Sequence, residues 1–109
     1  MGIRSSKRTK AKRKRTVEKD TEFYQEIWDE REHYCEECGR YLGEVWDRSY
    51  FSHILTKGAH PKLRRVKLNI QTVCRHCHSI WEFGDRTKMK TYRLNMERIQ
   101  KLFDIENSM

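Results

Sequence analysis

Four cysteines stand out as the residues most able to do chemistry, because they fall in two Cys-x2-Cys pairs: Cys35-Glu36-Glu37-Cys38 and Cys74-Arg75-His76-Cys77. Two sulfurs at that spacing can reach one ion from a single turn. Four thiolates then supply the closed tetrahedral set that structural Zn²⁺ prefers. In a reducing compartment this pairing favours zinc over disulfides. A closed four-sulfur site leaves no open position for water, so its expected role is to staple the fold.

A second group of residues lies beside these pairs: Ser52, His53, Asn69, His78 and Glu82. If residues 77 to 83 are helical, His78 and Glu82 stand at i and i+4 on one face, where both can grip one cation. A histidine and a carboxylate suit Mg²⁺, Mn²⁺, Ni²⁺ or Zn²⁺, with water or a substrate phosphate completing the shell. His53, expected at a strand end, is then free to act as a general base on water.

The order Cys-x2-Cys, His-Ile, Lys-Gly, His-Pro-x-Leu-Arg, Asn, Cys-x2-Cys-His, running from Cys35 to His78, resembles the HNH endonucleases. It is most similar to the short zinc-bearing HNH proteins common in bacteriophages. The resemblance covers residues 35 to 83, about half the chain. It implies a treble-clef-like ββα-metal core in which two strands and a helix clasp a catalytic divalent cation on a zinc-closed scaffold. By that pattern His53 corresponds to the general base and Asn69 to the residue that fixes the loop and orients the base. His78 corresponds to a ligand of the catalytic cation and Glu82 to a second ligand. The family usually has Asp or His immediately before the base, and this chain has Ser52, which could contribute only through water. The implied activity is metal-dependent hydrolysis of DNA phosphodiester bonds, by nicking or cutting. The alternative is a non-catalytic zinc-stapled module that binds DNA or RNA.

The elements that must position these residues read as a small α+β chain. Phe23, Tyr24, Ile27, Trp28 and Arg31 recur at helical spacing, predicting an amphipathic helix from about residue 20 to 33, capped by Asp20 or Thr21. Gly39 is free to take the positive φ that a zinc knuckle requires. Val45-Trp46, Tyr50 to Ile54 and Asn69 to Val73 read as short strands, with a loop from Thr56 to Pro61. A helix running on from Cys77 stops at Gly84, and a last one spans about 86 to 104, with Met89, Tyr92, Met96, Ile99 and Phe103 on one side. Trp81 and Phe83 read as core.

Charge divides the chain differently. Of 109 residues with a net charge of +8, residues 1 to 17 hold eight Lys/Arg and no acid, so the remainder is neutral. The expected organisation is therefore a flexible basic arm, 1–19, and a zinc-stapled domain, 20–109, with its core at 35–83. A basic arm on a neutral body points to nucleic acid, because each Lys or Arg that meets a phosphate releases counterions. The residues expected to make such contacts are Arg4, Lys7, Arg8, Lys10, Lys12, Arg13, Lys14 and Arg15. Arg64 and Arg65 join them with Lys67 on one side of an extended segment. His33, His60 and His76 are read as packing or surface histidines. With 36% hydrophobic residues and no long apolar run, the expectation is a protein of the cytoplasm, the host's if phage-encoded, with no membrane partner. Nothing in the sequence fixes an oligomeric state.

Overall fold

The computed structural model describes the backbone of residues 7–109 and the side chains from residue 13 onward. Three α-helices surround a two-stranded antiparallel sheet: α1 (Lys7–Glu30), β1 (Phe51–His53), β2 (Ile70–Thr72), α2 (Arg75–Phe83) and α3 (Tyr92–Ser108). The small α+β class expected from sequence is what forms.

α1 starts 13 residues earlier than expected, at Lys7, and runs unbroken through position 20. No Gly or Pro interrupts residues 7 to 30, and Lys, Arg, Ala and Glu are all strong helix formers. The flexible arm expected over 1–19 is thus helical from Lys7. Arg4 lies outside the described residues, as do the side chains of Lys7, Arg8, Lys10 and Lys12. Asp20, expected as a cap, sits mid-helix and turns inward, 2% exposed, with Phe23, Tyr24, Ile27 and Trp28 on the same buried stripe. Tyr24 stacks on Phe51 of β1 at 4.6 Å between ring centroids. α1 ends at Glu30 rather than 33, and the side chain of Arg31, which follows it, reaches across to the sheet. Its guanidinium donates to the Ile70 carbonyl (2.7 Å) and the Lys67 carbonyl (2.9 Å).

The strands pair Phe51 with Thr72, Ser52 with Gln71 and His53 with Ile70. A hairpin this short does not hold by itself. Its support is lateral: the α1 aromatics on one side, and a buried polar relay to α3 on the other. Gln71 Nε2 donates to Ser52 Oγ (3.2 Å), and Asn95 Nδ2 donates to Gln71 Oε1 (2.8 Å). Ser52, Gln71 and Asn95 are each 0% exposed, so satisfying these groups is a condition of burying them. Val45, expected in a strand, is 79% exposed and unpaired by any strand. Trp46 instead packs on Tyr24 and Phe51 from a loop.

Two expectations near the C-terminus also change. Residues Arg86–Lys88 form a separate 3₁₀ turn capped by Asp85, and α3 begins only at Tyr92. Its buried stripe ends on Leu102 rather than Phe103, which is 39% exposed. Trp81 is buried at 1% exposure, but Phe83 is 86% exposed. Two residues apart on a helix is about 200° of rotation, so the two cannot share a face.

Candidate metal and hydrolytic sites

The first Cys pair is held by a turn in which Cys35 N–H donates to the Arg40 carbonyl (2.8 Å) and Gly39 N–H to the Cys35 carbonyl (2.9 Å). Gly39 takes φ 78°, as the knuckle requires. Cys38 N–H also donates to Cys35 Sγ at 3.4 Å. The second pair opens α2. Glu36 ties the two together, its N–H donating to the Thr72 carbonyl (2.9 Å) and its carboxylate accepting from Thr72 N–H (2.6 Å).

The result is that Cys35, Cys38, Cys74 and Cys77 bring their sulfurs within 4.8 Å of one another, with no disulfide among them. Cys38 Sγ and Cys74 Sγ are 3.9 Å apart. Sulfurs around a tetrahedral zinc, with bonds of about 2.3 Å, are separated by about 3.8 Å. Burial and the neighbouring sulfurs push the Cys77 thiol well above its ordinary range. A divalent cation reverses that tendency by stabilising thiolate. The donor set and its spacing therefore fit a structural metal such as zinc.

His53 ends β1, 7% exposed. Its Nε2 lies 3.0 Å from the Arg64 carbonyl. A carbonyl can only accept, so the neutral ring carries its proton on Nε2 and leaves a lone pair on Nδ1. Among the described residues Nδ1 has no hydrogen-bond partner, and it is not sealed from solvent. Burial first, with the charges of Lys57 and Arg64 adding to it, lowers the His53 pKa below the usual imidazole value. The ring is thus held neutral with one nitrogen available to take a proton.

Asn69, 0% exposed, sits in the 3₁₀ turn just before β2. It accepts from Leu55 N–H (2.8 Å) and donates to the carbonyls of Leu55 (2.9 Å) and Leu63 (3.2 Å). All three bonds fall on the loop that leaves His53 and returns toward Arg64. Asn69 thereby fixes the segment whose Arg64 carbonyl holds the His53 ring.

His78 and Glu82 meet one helical turn apart on α2, with His78 Nε2 2.9 Å from Glu82 Oε1. The other ring nitrogen, Nδ1, donates to the Ser49 carbonyl at 2.7 Å. A ring bonded this way turns its Nε2 toward the Glu82 carboxylate. Two adjacent ligands of an octahedral cation at about 2.1 Å are about 3.0 Å apart, which the 2.9 Å spacing matches. Orientation of a histidine by a carbonyl on its far nitrogen is the usual arrangement for a metal ligand. Glu82 and His53 line one pocket of about 200 Å³, with Phe83 and Arg86 also in its wall. His78 is joined to that pocket through Glu82. The Arg86 guanidinium lies 4.3 Å over the Trp81 ring.

Other expected site residues are placed differently. Ser52 faces away from this pocket, fully buried against Gln71, so no solvent water can bridge it to a cation there. Arg64 and Arg65 are not on one side of an extended segment, because residues 61–63 and 67–69 are 3₁₀ turns. Both instead converge on Asp20: Arg64 donates through Nη2 (2.6 Å) and Nε (3.1 Å), and Arg65 pairs through Nε (3.0 Å). Lys67 pairs with Glu30 at 2.7 Å. His33 stacks on Trp28 at 3.6 Å between ring centroids, and His60 Nδ1 lies 2.9 Å from the Glu106 carboxylate. His76 is exposed. The structural roles of Asp20, Gln71 and Asn95 have no signal in the sequence, since nothing local distinguishes a buried polar residue whose partner is distant. No helix among the described residues is long and apolar enough to cross a membrane. No protein-family model, curated protein or solved structure matches the chain.

Proposed function

We propose that this chain is a metal-dependent endonuclease of the HNH type, hydrolysing phosphodiester bonds in DNA. The observation that carries the reading is His53: a buried, neutral ring whose Nε2–H is committed to the Arg64 carbonyl and whose Nδ1 is open. It shares its pocket with Glu82 of the His78–Glu82 pair. In the proposed reaction Nδ1 removes a proton from the attacking water, and the Arg64 carbonyl stabilises the imidazolium that forms. Asn69 holds the loop that presents that carbonyl. His78 and Glu82 are the residues that would hold Mg²⁺, Mn²⁺, Ni²⁺ or Zn²⁺. Such a cation supplies charge neutralisation at the scissile phosphate and the leaving 3′ oxygen. Arg86, braced on Trp81, offers the phosphate a positive wall. The four-cysteine site is structural in this scheme, with the catalytic cation bound elsewhere.

One observation favours the alternative, a zinc-stapled module that binds DNA or RNA without cutting. Ser52 replaces the expected ligand and is turned into the core, which leaves the cation with two protein ligands. A plasmid-nicking assay with each cation separates the two. Cleavage is expected to fall by a factor of about 10² to 10⁴ in His53→Ala. Undiminished cleavage by that variant would sink the assignment of the base, and binding without cleavage under every cation would establish the module.

A further inference from the structure

We infer that the N-terminal part of α1 is a rigid reader of duplex DNA, seated in the major groove and held in fixed register with His53. This rests on the nucleic-acid partner proposed above but not on the cleavage chemistry.

The first observation is continuity. One uninterrupted helix, Lys7–Glu30, carries both the charge-rich stretch and the aromatic stripe that packs into the core. Residues 7 to 19 therefore project as an extension of an anchored rod, about 20 Å long at 1.5 Å per residue. Arg13, Lys14, Arg15 and Lys19 are exposed. Among the described residues none of these four has an ion-pair partner, although Asp20, Glu26, Glu30 and Glu36 all attract bases elsewhere.

The second observation is where the bases fall around the helix. At about 100° per residue, Arg13, Lys14, Arg15 and Lys19 fall at about 0°, 100°, 200° and 240° around the axis, on more than one side of the helix. A flat phosphate surface or a single strand would engage one side and leave the rest solvated. A groove with a phosphate wall on each flank engages two opposite sides of the helix at once. The major groove of B-DNA, about 12 Å wide, admits a helix of about 10–12 Å diameter. The major groove of duplex RNA is too narrow and deep for one.

The third observation is the anchor. Where the basic stretch meets the core, the buried carboxylate of Asp20 accepts from Arg64 at 2.6 Å and pairs with Arg65 at 3.0 Å. Arg65 also donates to the Thr16 carbonyl at 3.3 Å. The same Arg64 supplies the carbonyl that fixes the His53 ring. One residue thus links the base of the rod to the ring.

The test is binding of the full chain to a DNA duplex, its single strand, and an RNA duplex of equal length across a salt series. Variants are Val17→Pro, and Thr16→Gly combined with Val17→Gly. Both leave every charge in place, lie outside the buried stripe of Phe23, Tyr24, Ile27 and Trp28, and keep the backbone carbonyl of residue 16 that Arg65 reaches; zinc content with near-ultraviolet dichroism reports that the body is folded. Wild type should prefer the DNA duplex by roughly tenfold or more over both other ligands. Each variant should lose most of that preference while its single-strand affinity stays within about twofold. Equal affinity of wild type for the three ligands, or unchanged duplex preference in the folded double-glycine variant, would overturn the inference and make the arm a flexible polycation. Failure of wild type to cleave, with duplex preference intact, would refute the enzymatic reading alone.

Discussion

At the scale of single residues, the arrangement turns on side chains that satisfy several partners at once. Asn69 closes three hydrogen bonds to the loop between His53 and Arg64. Asn69→Ala would leave those backbone groups buried and unpaired, at a cost of about 3 kcal/mol in a denaturant titration. If cleavage occurs, its pH profile carries a signature of His53. The residue acts as base only when neutral, and burial lowers its pKa, so the rate should rise with pH and reach half its plateau below about 6.5. An acid limb at or above that value would mean another group controls the reaction. The charge-compensated arginines explain why Arg64 and Arg65 mislead when read from sequence. Their partner Asp20 lies 44 positions away from Arg64, and no local pattern announces it.

At the scale of elements, what is legible in the sequence is what is encoded locally. Cysteine spacing specifies the knuckles, Gly39 the positive φ, and the i, i+4 spacing of His78 and Glu82 their contact on α2. Phe83 misleads because a helix predicted to begin at Cys77 still leaves its buried phase open, and α2 buries the side that holds Cys77 and Trp81. The start of α1 is hard to read because a run of Lys and Arg satisfies two opposite rules. Its residues are good helix formers, and its composition cannot bury a core. The strands, three residues each, depend on what flanks them, and a metal on the cysteine cluster would add to the Glu36–Thr72 bonds in joining the first knuckle to the segment that leaves β2. Metal analysis should find about one zinc per chain, and Cys74→Ser should unfold the protein as judged by near-ultraviolet dichroism. A folded variant without zinc would show that the aromatic packing of α1 suffices.

At the scale of the whole molecule, charge and structure divide the chain at different places. All of the net charge belongs to residues 1 to 17, yet α1 crosses that boundary without a break. The body is neutral, so removal of residues 1 to 17 should flatten the dependence of DNA affinity on salt. The slope in log–log form should drop by up to about 0.9 for each phosphate that the arm no longer neutralises. An unchanged slope would place the phosphate-binding groups on the body, with Arg86 the first residue to consider.

The tie between Glu37 and α3 couples the cysteine turn to the C-terminal helix. The Glu37 carboxylate, inside the first knuckle, accepts from the backbone N–H groups of Lys90 and Thr91 at 2.8 Å each. These two residues lead directly into α3, so the turn that holds Cys35 and Cys38 also sets where that helix begins. Loosening the knuckle would release the start of α3 with it, and the two should lose amide-exchange protection together.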